Sequence, residues 1–177
     1  MSTHLEGGNI DEIINFHCPR FNELPHLPLY KDQVITYIEE VLKAIHINSD
    51  EKLLTPTMVN NYVKQKVVAP PKDKKYNETH LAYLIVVCIF KQVFSLTEIC
   101  NLINIQIKTC PIEQAYDFFC TELEIILKDV FTKRQFAYES SIVETTNESE
   151  VVRSSVMSFA NKIYIQKYLS DFNEIEK

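Results

Sequence analysis

The chain has 177 residues, 46% of them hydrophobic, with a formal net charge of −6. That length suits one domain or two small ones, and that apolar content suits a sizeable core. The only glycines, Gly7 and Gly8, lie at the amino end, which argues against a hairpin-rich β fold, whose turns need positive φ, and for an all-α one.

Residues 1–28 read as a partly irregular leader. It carries Pro19, Pro25 and Pro28, and only Ile10–Phe16 suits a short helical turn. The first residues lack the basic start and apolar run of a signal peptide, so the expectation is a cytoplasmic chain. Lys31–Ile45 reads as a helix. Val34, Ile35, Ile38, Val41, Leu42 and Ile45 recur at spacings of three and four and make one apolar face. His46–Leu54 reads as a polar connection.

Thr55 opens a second helix, with Thr as N-cap and Pro56 at the favoured first helical position. It runs to about Lys66. Met58, Val59, Tyr62 and Val63 form its apolar stripe, while Thr57, Asn60, Asn61, Lys64 and Gln65 face elsewhere. Pro70-Pro71 ends any helix and extends the chain. Lys72–Tyr76 is a short basic loop and the one place with a weak hairpin signal. Asn77 caps the next helix, whose run LAYLIVVCIF is apolar on nearly all sides and therefore central. That run, Leu81–Phe90, has ten residues, against the about 20 that a bilayer span needs.

Ser95–Glu98 reads as a capping box for a helix to about Ile105. Pro111 starts a long amphipathic helix to Phe131, with a heptad-like seam of Ile112, Tyr116, Phe119, Leu123, Ile126 and Val130. The seam suits either an intramolecular core or a dimer contact. Phe136–Asn147 reads as a looser connection. Glu148–Phe172 is a final helix with Val152, Val156, Phe159 and Ile163 on one face.

Charge is distributed unevenly. Residues 1–51 carry −6, residues 52–80 carry +4 and residues 81–177 carry −4. A basic segment inside an acidic chain is the footprint of a polyanion-binding face, although a solvated lysine face gives the same count. Catalytic patterns are missing. His4, His17, His26, His46 and His80 are unpaired in spacing, and the sequence holds no Gly-rich phosphate loop or nucleophile elbow. Glu39-Glu40, Glu122 and Glu124 read as solvated helix faces. The five cysteines have no close spacing of a zinc knuckle and read as reduced thiols. The expectation is therefore no enzyme, no cofactor and no metal.

The order helix, Thr-capped helix, Pro-Pro exit, basic loop, Tyr-Asn cap, buried helix and Ser-capped helix resembles the winged helix-turn-helix head of MerR-type transcription regulators. Thr55, Tyr62, Val67–Lys72, Tyr76-Asn77 and the run VFSLTEI carry this over 32–105. Where such heads have DNA-contacting arginines, this chain has Thr57 and Asn60. The run LTPTMVNNYVKQKVVAPPKDKKYNETHLAYL, with FKQVFSLTEI behind it, is more similar to an uncharacterised family of small bacterial proteins known as a domain of unknown function and described as transcriptional regulators. The resemblance implies an all-α chain: leader 1–28, winged helix-turn-helix head 29–107 with a short wing, and a two-helix C-terminal region 108–177 for dimerisation or sensing.

On that reading helix 55–66 enters the major groove of double-stranded DNA. Asn60 and Asn61 suit an adenine edge, Thr57 a phosphate or a thymine methyl, and Thr55 with the helix start a phosphate. Lys64, Lys66, Lys72, Lys74 and Lys75 suit flanking phosphates, and Tyr62 is either a phosphate contact or core. The implied protein is a homodimer with no membrane partner. The competing reading is a helical protein–protein interaction module without DNA binding. A weaker one is an effector pocket lined by Tyr116, Phe118, Phe119, Phe131, Phe136, Tyr138, Phe159, Tyr164 and Tyr168.

Overall fold

A computed structural model of the chain describes residues 8–47, 51–133, 141 and 146–175. Seven α-helices occur among them: α1 (Gly8–Ile14), α2 (Lys31–Leu42), α3 (Pro56–Lys64), α4 (Glu78–Phe90), α5 (Leu96–Thr109), α6 (Ile112–Thr132) and α7 (Asn147–Ile175). Two strands of two residues each, β1 (Leu29–Tyr30) and β2 (Lys75–Tyr76), form one antiparallel pair. Leu29 lies opposite Tyr76 and Tyr30 opposite Lys75. The fold is all-α in class, as expected.

The caps form where the sequence puts them. Thr55 accepts a hydrogen bond from the Met58 amide at 3.2 Å. Asn77 accepts from His80 N at 3.2 Å. Ser95 and Glu98 form a reciprocal box, with the Ser95 amide donating to the Glu98 carboxylate at 2.8 Å. Each satisfies backbone donors that a helix start otherwise leaves open. α5 runs four residues past Ile105, to Thr109, and its exposed end carries Ile105 and Ile107.

One hydrophobic core spans the chain. α4 lies at its centre, with Leu81, Leu84, Ile85, Val87, Cys88 and Ile89 buried. Fully burying each Leu, Ile or Val side chain contributes about 1.5–3 kcal/mol. Ile13 of α1 and Leu24, both within the leader, sit in the same core as α6. The heptad-like seam is resolved as intramolecular. Tyr116, Phe119, Leu123, Ile126 and Val130 are buried, and α6 makes its most extensive contacts with α7 through Val152, Val156, Phe159 and Ile163. Most of the connection expected at 136–147 lies outside the described residues.

Two expectations are corrected. Glu122, expected on a solvated face, is 1% exposed. Its Oε2 accepts from Arg153 Nε at 3.1 Å, and its Oε1 accepts from the Ser141 amide at 2.9 Å. Glu124 accepts two parallel bonds from Arg20, at 2.8 and 2.7 Å, and a third from the Cys18 amide at 2.8 Å. Both glutamates pin other segments to α6, which helical periodicity alone does not reveal.

Candidate nucleic-acid interface

α3 sorts its side chains as its period dictates. Val59 and Tyr62 are buried. Thr57, Asn60, Asn61 and Lys64 are exposed, and their spacing of three and four places them on one face. Tyr62 stays with the core: it is 4% exposed, and burial pushes its phenol well above the usual tyrosine range. It is thus separated from the surface residues with which it was grouped. Thr55 is half-buried, and its side-chain oxygen is engaged in the cap.

The helix ends in a Schellman motif. The Val67 amide bonds the Tyr62 carbonyl at 2.9 Å and the Lys66 amide bonds the Val63 carbonyl at 3.0 Å. The motif needs a left-handed residue between them, a position that glycine fills most easily. Here it is Lys66, with φ of 60° and an exposed side chain.

The basic loop then closes as a tight turn, with the Lys75 amide donating to the Lys72 carbonyl at 2.9 Å and a bridge between the two residues. Its central residues Asp73 and Lys74 have φ of 50° and 62°. Two successive positive φ values make the turn that joins hairpin strands and that normally draws Asn-Gly or Asp-Gly. The chain makes this hairpin turn without glycine, at the one place where the sequence carries a weak hairpin signal. Every positive-φ non-Gly residue among the described ones therefore lies between Lys66 and Lys74, and two of the three are lysines.

Two contacts join the turn to α3. The Lys31 ammonium, from the first turn of α2, donates to Asn60 Oδ1 at 2.7 Å. Its neighbour Tyr30 lies opposite Lys75 in the strand pair, and the Lys75 ammonium stands 5.1 Å from the Tyr30 ring centroid, within cation–π range. Tyr30 is 54% exposed. The sequence of contacts Asn60, Lys31, Tyr30, Lys75 makes one surface of the α3 face and the turn. Tyr76 is buried beneath it, edge-on to His80 at 5.4 Å. Sequence reasoning missed Tyr30 and Lys31. The available signal was the alternation of Leu29 and Tyr30 before α2, which turns the Leu29 side chain partly inward and the Tyr30 ring outward.

Thr57, Asn60, Asn61, Lys64, Lys66, Lys72 and Lys74 are exposed and Lys75 is half-exposed. Asn60 shares its side-chain carbonyl with Lys31, whereas no bond to the Asn61 amide is found among the described residues.

Elsewhere the geometry is less open. Tyr116 and Phe119 line an apolar cavity of about 60 Å³ between α4, α5, α6 and α7, against the ~300–1,000 Å³ usual for a ligand pocket. Phe131 and Phe159 are core, Tyr164 lies edge-on to Phe131 at 5.5 Å and Phe118 is half-buried. Phe136, Tyr138 and the Tyr168 side chain lie outside the described residues. All five cysteines are free, and the Cys18 and Cys120 thiols face each other at 3.2 Å inside the core. Burial pushes the Cys120 thiol far above its ordinary range, which suppresses thiolate reactivity. Among the described residues no group of three His, Cys, Asp or Glu is placed to hold a metal, and no helix is long and apolar enough to cross a membrane.

A family model described as a domain of unknown function (DUF1836) matches residues 19–119. No curated protein and no solved structure matches the chain. The matched span begins before β1 and ends within α6, and it contains Tyr30, Lys31, α3 and the basic turn.

Proposed function

We propose that this chain, which belongs to the DUF1836 family, is a DNA-binding regulator of transcription. On this reading α2 and α3 form a helix-turn-helix, α3 enters the major groove, and the Lys72–Lys75 turn is a short wing on the phosphate backbone. The observation that carries it is the single surface made by Asn60, Lys31, Tyr30 and Lys75. It joins polar side chains able to read base edges to ammonium groups able to neutralise phosphates. The left-handed lysines Lys66 and Lys74 add support. A non-glycine residue in that conformation costs about 1–3 kcal/mol, and keeping lysine there retains two exposed charges.

The reading makes the protein a binder rather than an enzyme. It retains a homodimer. Since the α6 seam is occupied by α7, the exposed apolar side chains open to a partner copy include, among the described residues, Ile105 and Ile107 on α5, Val151 and Ile165 on α7, and Leu27. Those same exposed residues favour the second reading, a helical module that docks another protein without DNA. Fluorescence anisotropy with mixed duplex DNA across a salt series separates the two. The DNA reading expects binding that weakens steeply with salt and collapses on charge reversal at Lys64, Lys74 and Lys75. Absence of binding at about 50 mM salt rules it out, because even non-specific readers bind there.

A further inference from the structure

A second basic site lies away from α3. The end of the connection before α3, the C-terminal end of α4 and the middle of α7 enclose a pocket of about 300 Å³, a size that admits a small metabolite. Among the described residues its walls include Lys52, Lys91 and Lys162, with His46, Gln166 and one carboxylate, Glu51. Among these residues three ammonium groups face one carboxylate, in a chain whose net charge is −6.

Neither inner lysine is bonded to a carboxylate among the described residues. Lys91 donates to the Leu53 carbonyl and Lys162 to the Gln92 carbonyl. Burial holds the Lys91 ammonium below its ordinary range, as expected for a desolvated cation whose charge is incompletely matched. The two carbonyls are neutral acceptors, so an anion entering the pocket adds an ion pair that they do not supply. In the same wall Gln166 Oε1 is buried and has no hydrogen-bond partner. A buried acceptor without a partner calls for an explanation, and a donor held in the adjoining pocket supplies one.

We propose that this pocket binds a small organic anion carrying a phosphate or carboxylate and a hydroxyl or amide donor. Lys52, Lys91 and Lys162 hold the anionic group and Gln166 accepts from the donor. The pocket also touches the approach to α3, because Leu53, the acceptor of Lys91, lies two residues before the cap Thr55. Binding is independent of whether α3 contacts DNA.

Isothermal titration calorimetry on the full chain at fixed ionic strength tests the proposal, with glycerol 3-phosphate, inorganic phosphate and citrate as probes and glycerol as the neutral control. Saturable binding of at least one anion, and none of glycerol, is expected. Lys52→Gln and Lys162→Gln each weaken it about tenfold. Both keep a donor in place, and Lys52 is exposed, so the fold is retained. Gln166→Leu reduces the preference for glycerol 3-phosphate over inorganic phosphate. Lys74→Gln and Lys75→Gln leave binding unchanged. No saturable binding by any anion overturns the proposal, as does binding that survives in the Lys52 and Lys162 variants or is lost in the Lys74 and Lys75 variants.

Discussion

The Lys31 ammonium and the Asn60 side-chain carbonyl are hydrogen-bonded at 2.7 Å across the start of α2 and the exposed face of α3. The bond gives the two adjacent asparagines different chemistry. Asn60 already uses its acceptor, and its amide donors point away from Lys31. Asn61 has both halves of its amide open among the described residues. Bidentate reading of adenine needs acceptor and donor together.

On the proposed DNA-binding reading, Asn61→Ala is therefore expected to cost about 1–3 kcal/mol at an adenine-containing site and to relax selectivity there. Asn60→Ala costs less. Lys31→Ala weakens all sequences alike and lowers the salt slope by about 0.9, the share of one phosphate contact. Anisotropy against a panel of duplexes at several salt concentrations checks this. Equal effects of the two asparagine variants, with no change in selectivity, would remove Asn61 from base reading.

Lys66 and Lys74 sit at φ of 60° and 62°, where a Cβ is strained and glycine is not. Lys66→Gly and Lys74→Gly are expected to stabilise the fold, by about 0.5–1 kcal/mol each once the added freedom of the unfolded chain is counted against the 1–3 kcal/mol of relieved strain. Urea midpoints give the stability change and DNA titrations the loss of charge. A glycine variant less stable than the parent would show that the lysine side chain supports the fold rather than a ligand.

The helices were legible because their signals are local. Thr55-Pro56, Asn77 and Ser95–Glu98 mark starts, and the apolar spacing in α2, α3 and α6 marks the buried faces. The strand pair was not legible. Leu29–Tyr30 and Lys75–Tyr76 are too short to show a pattern, and they meet only because α2, α3 and the Pro-Pro exit bring them together. The same limit hid Lys31 from the candidate site. The hairpin turn at Lys72–Lys75 was legible only as the weak signal at Lys72–Tyr76, because a chain without glycine after residue 8 still adopts positive φ when the surrounding contacts impose it. The roles of Glu122 and Glu124 depend on partners Arg153 and Arg20, which are distant in sequence from at least one packed segment, so a helix-face reading placed both in solvent.

Thr55 supports α3 twice over, through its capping oxygen and through its carbonyl, which accepts from the Val59 amide at 3.0 Å. Thr55→Ala removes only the first. The expected loss is about 1 kcal/mol, read as a lower urea midpoint with an unchanged slope. Thr55→Ser restores most of it. If Thr55→Ala leaves stability unchanged, the cap contributes nothing to the fold and the residue is free for another role.

Arg20 and Glu124 set the response to acid. Burial alone would raise the Glu124 pKa, but the paired bonds from Arg20, the Cys18 amide and the charge of His17, whose Nδ1 lies 3.0 Å away, together hold it below 4.5. The carboxylate is therefore more strongly ionised in the folded chain than in the unfolded one. A depressed folded value stabilises the fold fully above the unfolded value and loses that contribution as pH falls through the folded value. Glu124→Gln keeps the shape and one acceptor for the Cys18 amide but removes the charge that faces Arg20. At neutral pH it is expected to cost about 1–3 kcal/mol, the range for a charged hydrogen-bond partner. As pH falls from the ordinary carboxylate value through the lowered folded value, the parent protonates the same group and the gap between parent and variant narrows. Urea midpoints measured from about pH 7 to pH 3 report it. A gap that stays constant down to pH 3 would mean that the charge on Glu124 plays no part in holding the leader against α6.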